Sequence, residues 1–431
     1  MQLKYKILKQ CEDAKLASAK LAGVETNAKN KALIGIANAV KKNKNKILAA
    51  NKKDLRNAKK NNLSDVLLKR LKLDNIKINE IIAGVKSVAK LEDPAGKTLA
   101  VTELDKGLNL HKVSTPIGVI GVIFESRPDA LVQISALCLK SGNAVILKGG
   151  SEAENTNSTL FEAIRNVSEK YLPKGWIQLI GTREEVKEVL KMDEFIDLLI
   201  PRGSNKFVKY IQENTKIPVL GHSEGICHVY VDKDADLKMA VDICFDAKCQ
   251  YPAVCNAMET LLVHKAIAKK FLPLMEKKFK EADVELRGCA ETKKILKNIK
   301  KATEEDWKTE YNDLILSIKM VDSVDEAIGH INKYGSGHTD AIITNNKKTS
   351  DRFMDLVDSG SVMVNCSTRF ADGFRYGLGA EVGISTNKVH ARGPVGLEGL
   401  VIYKYKSFGK GHKVADYSGK KAREFTHKRI K

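Results

Sequence analysis

Strand and helix patterns alternate from residue 117 to 221, and this alternation constrains the fold more than any other feature of the chain. Glycine, proline and capping residues separate the segments, including a capping box at Thr182 to Glu185. The predicted strands cover residues 117–124, 144–148, 176–181 and 197–200. Such alternation is typical of a parallel sheet with helices on both faces, which binds ligands at the carboxyl ends of its strands.

The alternation restarts after Gly221 and predicts a second α/β domain. Its predicted strands cover residues 228–231, 260–263, 314–321, 339–344 and 361–365. Residues 1–90 have apolar positions at helical spacing, so we expect a helical cover. Residues 99–115 alternate polar and apolar side chains around Asp105-Lys106-Gly107, which predicts a hairpin that is either an assembly arm or a plain surface ribbon.

Cys255 lies in a loop between a helix pattern and a strand pattern of the second domain. Pro252 ends the preceding helical periodicity, so the chain is expected to turn just before Cys255. A thiol at such a turn becomes a nucleophile if a cation or helix N-terminus lowers its pKa. The alternative is a small buried hydrophobic residue, which is the usual role of a cysteine outside disulfides.

Two short motifs predict phosphate contacts in the first domain. A Gly-x-Gly-x-x-Gly fingerprint does not fit there, since Gly118 and Gly121 stand in the wrong register. Two other motifs each end a strand and precede a helix, namely Lys148-Gly149-Gly150-Ser151 and Arg202-Gly203-Ser204. Flexible backbone, a hydroxyl and a cation at a helix N-terminus can hold a phosphate or ribose phosphate.

Composition and charge argue against several classes of protein. The net charge is +20, but the lysines spread over the whole chain, which argues against a nucleic-acid-binding element. Only residues 404–431 form a concentrated basic tail, which we expect to be solvated.

Eight scattered cysteines are too few for a disulfide scaffold and lack zinc-knuckle spacing, so we expect reduced thiols and no metal. No signal peptide or membrane span is expected, which favours a cytoplasmic protein.

Several long stretches carry a resemblance to one family. They are Thr115–Pro128 (TPIGVIGVIFESRP), Gly142–Gly150 (GNAVILKGG), the Tyr-Pro-Ala-Val-Cys loop at Cys255, Val364–Asp372 (VNCSTRFAD), Gly377–Val382 (GLGAEV) and His390–Glu398 (HARGPVGLE). On these motifs the chain resembles the gamma-glutamyl phosphate reductases, or glutamate-5-semialdehyde dehydrogenases, of the aldehyde dehydrogenase superfamily. The matches run from about residue 10 to 405, and no kinase portion is present.

The resemblance implies an aldehyde dehydrogenase-like α/β fold, with two three-layer parallel-sheet domains plus an oligomerisation β-hairpin arm. We expect a cofactor-binding domain at residues 1–98 and 116–225 and a catalytic domain at 226–390. The arm and the basic tail would occupy residues 99–115 and 391–431. A homo-oligomer is then expected, and a glutamate 5-kinase is a possible partner.

The resemblance also implies reduction of L-glutamyl 5-phosphate by NADPH, with release of phosphate. Cys255 would form a thioester, and its backbone N–H, the Ser126 hydroxyl and the Asn256 amide are candidate oxyanion donors. Arg127, Arg369 and Arg392 are the candidate substrate clamps.

For the cofactor, the resemblance implies roles for Lys148 and Glu310 on the two riboses. The two phosphate-contact motifs add further candidate cofactor residues, namely Gly150, Ser151, Arg202, Gly203 and Ser204. The glycines after Lys148 leave room for a 2′-phosphate and favour NADPH, although Glu152 is close by.

Two alternatives stay open at this point. One is a hydrolysing NAD(P)-dependent aldehyde dehydrogenase, and the other is a basic α/β protein that binds RNA or DNA. The chain reads Leu220-Gly221-His222-Ser223-Glu224-Gly225 where hydrolysing relatives carry a glutamate base, which argues against the first. His222 or Glu224 could still act as that base.

Overall fold

A computed structural model describes residues 2–221 and 224–431, and the side chains of Asp65 and Val66 lie outside the description. The chain divides into two compact units. Unit 1 comprises residues 1–220, 378–383 and 395–431, and unit 2 comprises residues 221–377 and 384–394. This division differs from the expected domain bounds, because residues 221–225 and 391–394 fold with unit 2 and residues 378–383 fold with unit 1.

The helices of the described residues are α1 (Gln2–Leu21), α2 (Thr26–Lys42), α3 (Lys44–Lys60), α4 (Asp65–Leu71), α5 (Asn75–Lys90), α6 (Pro128–Ser141), α7 (Glu154–Ser168), α8 (Arg183–Val189), α9 (Asn205–Glu213), α10 (Leu237–Cys249), α11 (Lys265–Lys280), α12 (Ala290–Ile295), α13 (Val324–Tyr334) and α14 (Lys347–Leu356). The strands are β1 (Thr98–Asp105), β2 (Leu108–Pro116), β3 (Val119–Phe124), β4 (Ala144–Lys148), β5 (Ile177–Ile180), β6 (Leu198–Arg202), β7 (Cys227–Val231), β8 (Met258–His264), β9 (Glu285–Gly288), β10 (Lys300–Lys301), β11 (Ile315–Val321), β12 (Thr339–Ile343), β13 (Ser361–Val364), β14 (Ile384–Ser385), β15 (Gly393–Pro394), β16 (Val401–Phe408) and β17 (Lys428–Arg429).

Unit 1 contains a four-stranded parallel sheet in the order β5-β4-β3-β6. Its central strands are short apolar runs that are buried on both faces, as parallel strands under helical cover must be. Pro128 begins α6, and Gly142 ends it with a left-handed φ of 80°, which returns the chain into β4. The predicted strand and helix alternation of this region is therefore confirmed.

Unit 2 contains a seven-stranded parallel sheet in the order β10-β9-β11-β8-β7-β12-β13. The five predicted strands of this region are all present as β7, β8, β11, β12 and β13. The two strands of this sheet that the sequence pattern missed, β9 and β10, are only four and two residues long. A core of buried aliphatic and aromatic side chains, including Phe271 and Phe279 on α11, packs against the sheet.

The predicted hairpin is confirmed as β1 and β2, which turn at Lys106-Gly107 with a φ of 79° at Gly107. It belongs to a second sheet of unit 1 in the order β16-β2-β1-β17. Most residues of the basic tail are exposed, as expected, but the tail is also held at its end, because its last strand, β17, pairs with β1. Asp105 anchors the tail further, since it accepts a hydrogen bond from the Tyr417 hydroxyl and pairs with Arg423.

Candidate active site

Cys255 lies in the loop between α10 and β8, as the sequence predicts, and it is half-buried. The backbone of Gly225 packs directly against this loop. A Cβ atom added at Gly225 would stand 2.1 Å from the carbonyl oxygen of Cys255 and 2.5 Å from its Cα. Only glycine fits such an approach, so Gly225 helps to set the position of the thiol.

The cysteine lies at the amino ends of its neighbouring strands, whereas parallel sheets commonly bind ligands at their carboxyl ends. Strands β8, β7 and β12 are adjacent in the unit 2 sheet. Cys255 precedes β8, Cys227 begins β7, and His338 precedes β12. Strand order therefore brings together three side chains that are far apart in the sequence.

His338 is the side chain that contacts the candidate nucleophile. Its Nε2 atom lies 3.1 Å from the Sγ atom of Cys255, and its Nδ1 atom lies 2.8 Å from the Oγ1 atom of Thr339. The imidazole is buried, with a relative exposure of 1%. A thiol next to an imidazole that another group orients is the arrangement of an activated cysteine nucleophile.

Cys227 stabilises the loop that carries Cys255 through a hydrogen bond. Its thiol donates a hydrogen bond of 3.1 Å to the carbonyl oxygen of Cys255. Burial raises the pKa of Cys227 well above its ordinary value, and the charge of Asp340 raises it further. Cys227 therefore keeps its proton and serves as a donor to the loop.

Arg369 and Asn256 belong to the same half of the site. Arg369 is largely buried in the 3₁₀ turn Thr368–Phe370, and its Nε donates a hydrogen bond of 2.9 Å to Gln250. Burial lowers the pKa of Arg369, whereas its interaction with Cys255 raises it. The Asn256 amide nitrogen donates to the Ala371 carbonyl at 2.8 Å. Arg369 thus brings a positive charge close enough to interact with the thiol.

The other two candidate arginines lie in different surroundings. Arg392 pairs with Asp358 through a 2.9 Å contact and also donates to its carbonyl oxygen. Arg127 belongs to unit 1, is exposed, and lies 3.6 Å from Asp129. Only Arg369 of the three therefore interacts with Cys255 within unit 2.

The candidate cofactor residues of unit 1 lie at the carboxyl end of its parallel sheet, as expected. Lys148 ends β4, Gly150 and Ser151 lead into α7, and the motif that ends β6 is followed by α9. Burial lowers the pKa of Lys148, and the charges of Glu152 and Arg183 act on it in opposite directions. Arg183 begins α8, directly after the strand that pairs with β4.

Lys148 is partly desolvated at this edge of the sheet, where the positive charge of Arg183 and the carboxylates of Glu152 and Glu125 all act on it. An anion at this edge would stabilise the positive charges of Lys148 and Arg183. These residues consequently fit the phosphate and ribose groups of a dinucleotide.

Ser126 is engaged by Glu152. Both its backbone N–H and its hydroxyl donate to the Oε1 atom of Glu152, at 2.6 Å and 2.5 Å. Ser126 also has a φ of 40°, a strained backbone conformation for a residue with a side chain. The hydroxyl proton that was expected to reach an oxyanion is therefore directed at Glu152.

Glu310 lies on a loop of unit 2 that a buried ion pair holds in place. Lys248 and Glu259 are both fully buried, and their charged groups lie 2.5 Å apart. The other oxygen of Glu259 accepts a hydrogen bond of 3.2 Å from the backbone N–H of Asn312. This contact fixes the chain two residues after Glu310.

Metal ligands and membrane spans were also sought. Residues 2–221 and 224–431 contain no group of three or more His, Cys, Asp or Glu side chains arranged to hold a metal ion. Over the same residues, no helix is both long enough and apolar enough to cross a membrane. His222, a candidate base, lies outside the described residues, and Glu224 is exposed.

Sequence reasoning missed His338, Gly225, Cys227 and Arg183. The sequence Gly335-Ser-Gly-His338 offered one signal, because a histidine after two flexible glycines precedes a predicted strand. No local signal could pair His338 with Cys255, since the order of the strands in the sheet makes that contact.

Comparison with known proteins gives one family. The model of the aldehyde dehydrogenase family matches residues 4–311 and 294–379. The gamma-glutamyl phosphate reductase of Methanococcoides burtonii is 61% identical over 429 residues, covering 97% of this chain and 96% of the relative. The enzyme of the same name from Acetivibrio thermocellus is 59% identical over 417 residues, with 96% of each chain covered.

Solved structures agree with these relatives. The crystal structure of gamma-glutamyl phosphate reductase from Thermotoga maritima has a TM-score of 0.93 at 41% identity, covering 94% of this chain and 99% of that one. A glyceraldehyde-3-phosphate dehydrogenase from Methanocaldococcus jannaschii, complexed with NADP, has a TM-score of 0.66 at 18% identity and covers 94% of this chain and 95% of that one. The second likeness shows the fold alone, and it confirms the expected aldehyde dehydrogenase-like architecture.

Proposed function

Because this chain belongs to the aldehyde dehydrogenase family, and within it to the gamma-glutamyl phosphate reductases, we propose that it reduces L-glutamyl 5-phosphate to L-glutamate 5-semialdehyde in proline biosynthesis. It is an oxidoreductase. The observation that carries the proposal is the contact between the half-buried thiol of Cys255 and the imidazole of His338. A reductase that works through a thioester needs an activated thiol of this kind.

Cys255 is the proposed nucleophile. Its Sγ attacks the acyl carbon of the substrate, the bond from that carbon to the phosphate oxygen breaks, and a thioester to Cys255 remains. When bound, the reduced nicotinamide supplies the hydride that the thioester needs. The resulting hemithioacetal then releases the aldehyde and regenerates the thiolate.

Oxyanion stabilisation comes in this proposal from the Cys255 backbone N–H, with Asn256 and Ser126 as further donors. Asn256 and Ser126 differ in the hydrogen bonds that their side chains already donate. The Asn256 amide donates to Ala371, and its Oδ1 atom has no partner among the described residues. Since an amide nitrogen carries two protons, one remains for an oxyanion. Ser126 would first have to release Glu152, so the backbone N–H and Asn256 are better supported.

Substrate binding is assigned to the candidate arginines. The substrate carries a phosphate and a carboxylate, both of which arginine binds through paired hydrogen bonds. Arg369 has the strongest support, because it is largely buried and interacts with Cys255. Arg127 and Arg392 remain proposed clamps, and Arg392 would have to share its guanidinium with Asp358.

NADPH is the proposed cofactor, held by Lys148, Gly150, Ser151, Arg202, Gly203, Ser204 and Glu310. The positive charges of Lys148 and Arg183 at the edge of the unit 1 sheet support the choice of NADPH over NADH, because a 2′-phosphate adds negative charge there.

We further propose a cytoplasmic homo-oligomer that assembles through the β16-β2-β1-β17 sheet, which we call the arm sheet. Strand β16 supports this, because it is an edge strand with exposed aromatic side chains, among them Tyr403, Tyr405 and Phe408. A glutamate 5-kinase that delivers the unstable acyl phosphate is a proposed partner. Its support is chemical, since the substrate must come from phosphorylation of a carboxylate.

The test runs the reaction backwards, with glutamate 5-semialdehyde, phosphate and NADP+, beside Cys255→Ser. We expect phosphate-dependent formation of reduced cofactor that is lost in the variant. Cofactor reduction that ignores phosphate would instead assign a hydrolysing dehydrogenase. Absence of any reduction, together with salt-dependent retention on nucleic acid, would favour the binding-protein alternative.

A further inference from the structure

His338 is fixed from both sides by the backbone. It follows Gly337, which has a φ of 70° and accepts a hydrogen bond of 2.8 Å from the N–H of Gly360. The carbonyl oxygen of His338 accepts another from Ser361 at 3.1 Å. The imidazole is buried against Cys255, so its ring is held at the thiol before any substrate binds.

The two ring nitrogens face different partners. Nδ1 faces the hydroxyl of Thr339 at 2.8 Å, with the Sγ atom of Cys227 farther away at 3.8 Å, and Nε2 faces the Sγ atom of Cys255 at 3.1 Å. A neutral imidazole carries one proton, so an Nδ1–H that donates to Thr339 leaves the lone pair of Nε2 directed at the thiol. In that tautomer His338 can take the proton of Cys255.

The thioester step must also dispose of a proton. Attack by a thiol on an acyl phosphate forms the S–C bond and breaks the C–O bond to phosphate, while the S–H proton is lost from sulfur. Phosphate expelled without a proton would leave as a trianion, which is a poor leaving group near neutral pH. One proton acceptor that becomes a donor within the same step would solve both problems.

We propose that His338 is a catalytic residue that takes the Sγ proton of Cys255 and passes it to the departing phosphate oxygen. This proposal rests on the acyl-phosphate reductase function and adds a residue to it. The proton count closes, because the thiol proton ends on phosphate, and the thiolate released with the aldehyde takes up one proton from water. Thr339 acts as a positioning residue for the imidazole.

Several other ionisable groups surround the pair. Arg369 brings a positive charge that favours the thiolate. Burial and the charges of Asp340 and Glu259 raise the pKa of Cys227, and Asp340 also contacts the Nδ1 atom of the buried His228 at 3.0 Å. His338 has its Nε2 atom directed at Sγ, which makes it the proton acceptor.

The first experiment needs no substrate. The rate at which iodoacetamide alkylates Cys255 is measured against pH in the full-length protein and in His338→Asn, with mass spectrometry to identify the modified residue. We expect alkylation at pH 7 to fall at least tenfold in the variant and its midpoint to move to higher pH. The matched control is His330→Asn, because His330 is also a buried histidine of unit 2 but packs against Trp307 and Lys319.

A second pair of variants protects the test against misfolding of His338→Asn. Thr339 is fully buried, so Thr339→Val keeps its shape but removes the acceptor for Nδ1–H, whereas Thr339→Ser keeps the hydroxyl. We expect slower alkylation and a lower kcat with little change in KM for Thr339→Val, and recovery in Thr339→Ser. For His338→Asn, kcat should fall about 10²- to 10⁴-fold.

The outcomes separate this proposal from the function it rests on. Wild-type alkylation profiles in folded His338→Asn and Thr339→Val would overturn the role of His338, even if the enzyme reduces glutamyl phosphate. Conversely, a shifted profile in a protein without reductase activity would support the thiol–imidazole pair and refute the acyl-phosphate assignment.

Discussion

Replacing Gly225 with alanine should displace the nucleophile without touching its chemistry. The new Cβ would stand 2.1 Å from the carbonyl oxygen of Cys255, whereas real contacts of this kind are not shorter than 3.0 Å. The loop must therefore move by about 1 Å. Backbone atoms make the contact, so no flexible side chain can turn aside to relieve it.

A misplacement of about 1 Å at a reacting atom costs roughly 10²-fold in rate. We therefore expect kcat/KM of Gly225→Ala to fall about 100-fold, which corresponds to about 2.7 kcal/mol of lost transition-state stabilisation. The hydrogen bond from Cys227 to the Cys255 carbonyl should break as well, because the same oxygen moves. The assay is steady-state reduction of NADP+ with phosphate and glutamate 5-semialdehyde, together with the alkylation rate of Cys255.

Gly329→Ala is the matched control. Gly329 lies within helix α13 of the same unit, and a Cβ there would meet nothing within 4 Å. This variant should retain full activity and gain about 0.5–1 kcal/mol of stability, because alanine is the better helix former. Turnover of Gly225→Ala within about twofold of the wild type would refute the idea that this glycine positions the thiol.

Three further predictions concern charge and packing. Burial opposes the charge of Asp306, but hydrogen bonds from Arg287 and other partners hold the pKa of this carboxyl below its ordinary value. The ionised Asp306 carboxylate therefore stabilises the folded state above about pH 4, and this contribution is lost as the pH falls through the lower native pKa. Asp306→Asn should therefore unfold at lower urea than the wild type at pH 7, and the gap should narrow below about pH 4. Arg183→Ala should raise KM for NADPH more than KM for NADH, which steady-state kinetics would check, because it removes charge near Lys148. Phe279→Ala should lower the free energy of unfolding by about 3–5 kcal/mol in urea denaturation, since this side chain is fully buried in the unit 2 core.

The architecture could be predicted from sequence because its signals are local. Pro128, Gly142 and the Thr182 capping box each begin or end a helix where the pattern indicated. Buried apolar runs marked the parallel strands, and β4 covers the predicted residues 144–148. Strands β9 and β10 were missed because so few residues give no usable periodicity.

The active site could be predicted only in part. Cys255 stood out because the loop that carries it is visible in the sequence. Its partners come from β7 and β12, and the order of parallel strands is a tertiary property that no short segment encodes. The interaction of Ser126 with Glu152 was missed for a related reason, since the two residues meet only when β3 and β4 pair.

The return of the C-terminal tail along the hairpin has a consequence for symmetry. Pairing with β17 covers part of β1 on one side of the arm sheet. Among the described residues of this sheet, the eight-residue β16 is therefore the long edge strand that has no partner strand on its outer side. A sheet with two open edges can add copies head to tail without end, whereas one open edge pairs with its own twin about a two-fold axis and is then used up. The tail would in this way limit growth along the arm to a closed pair.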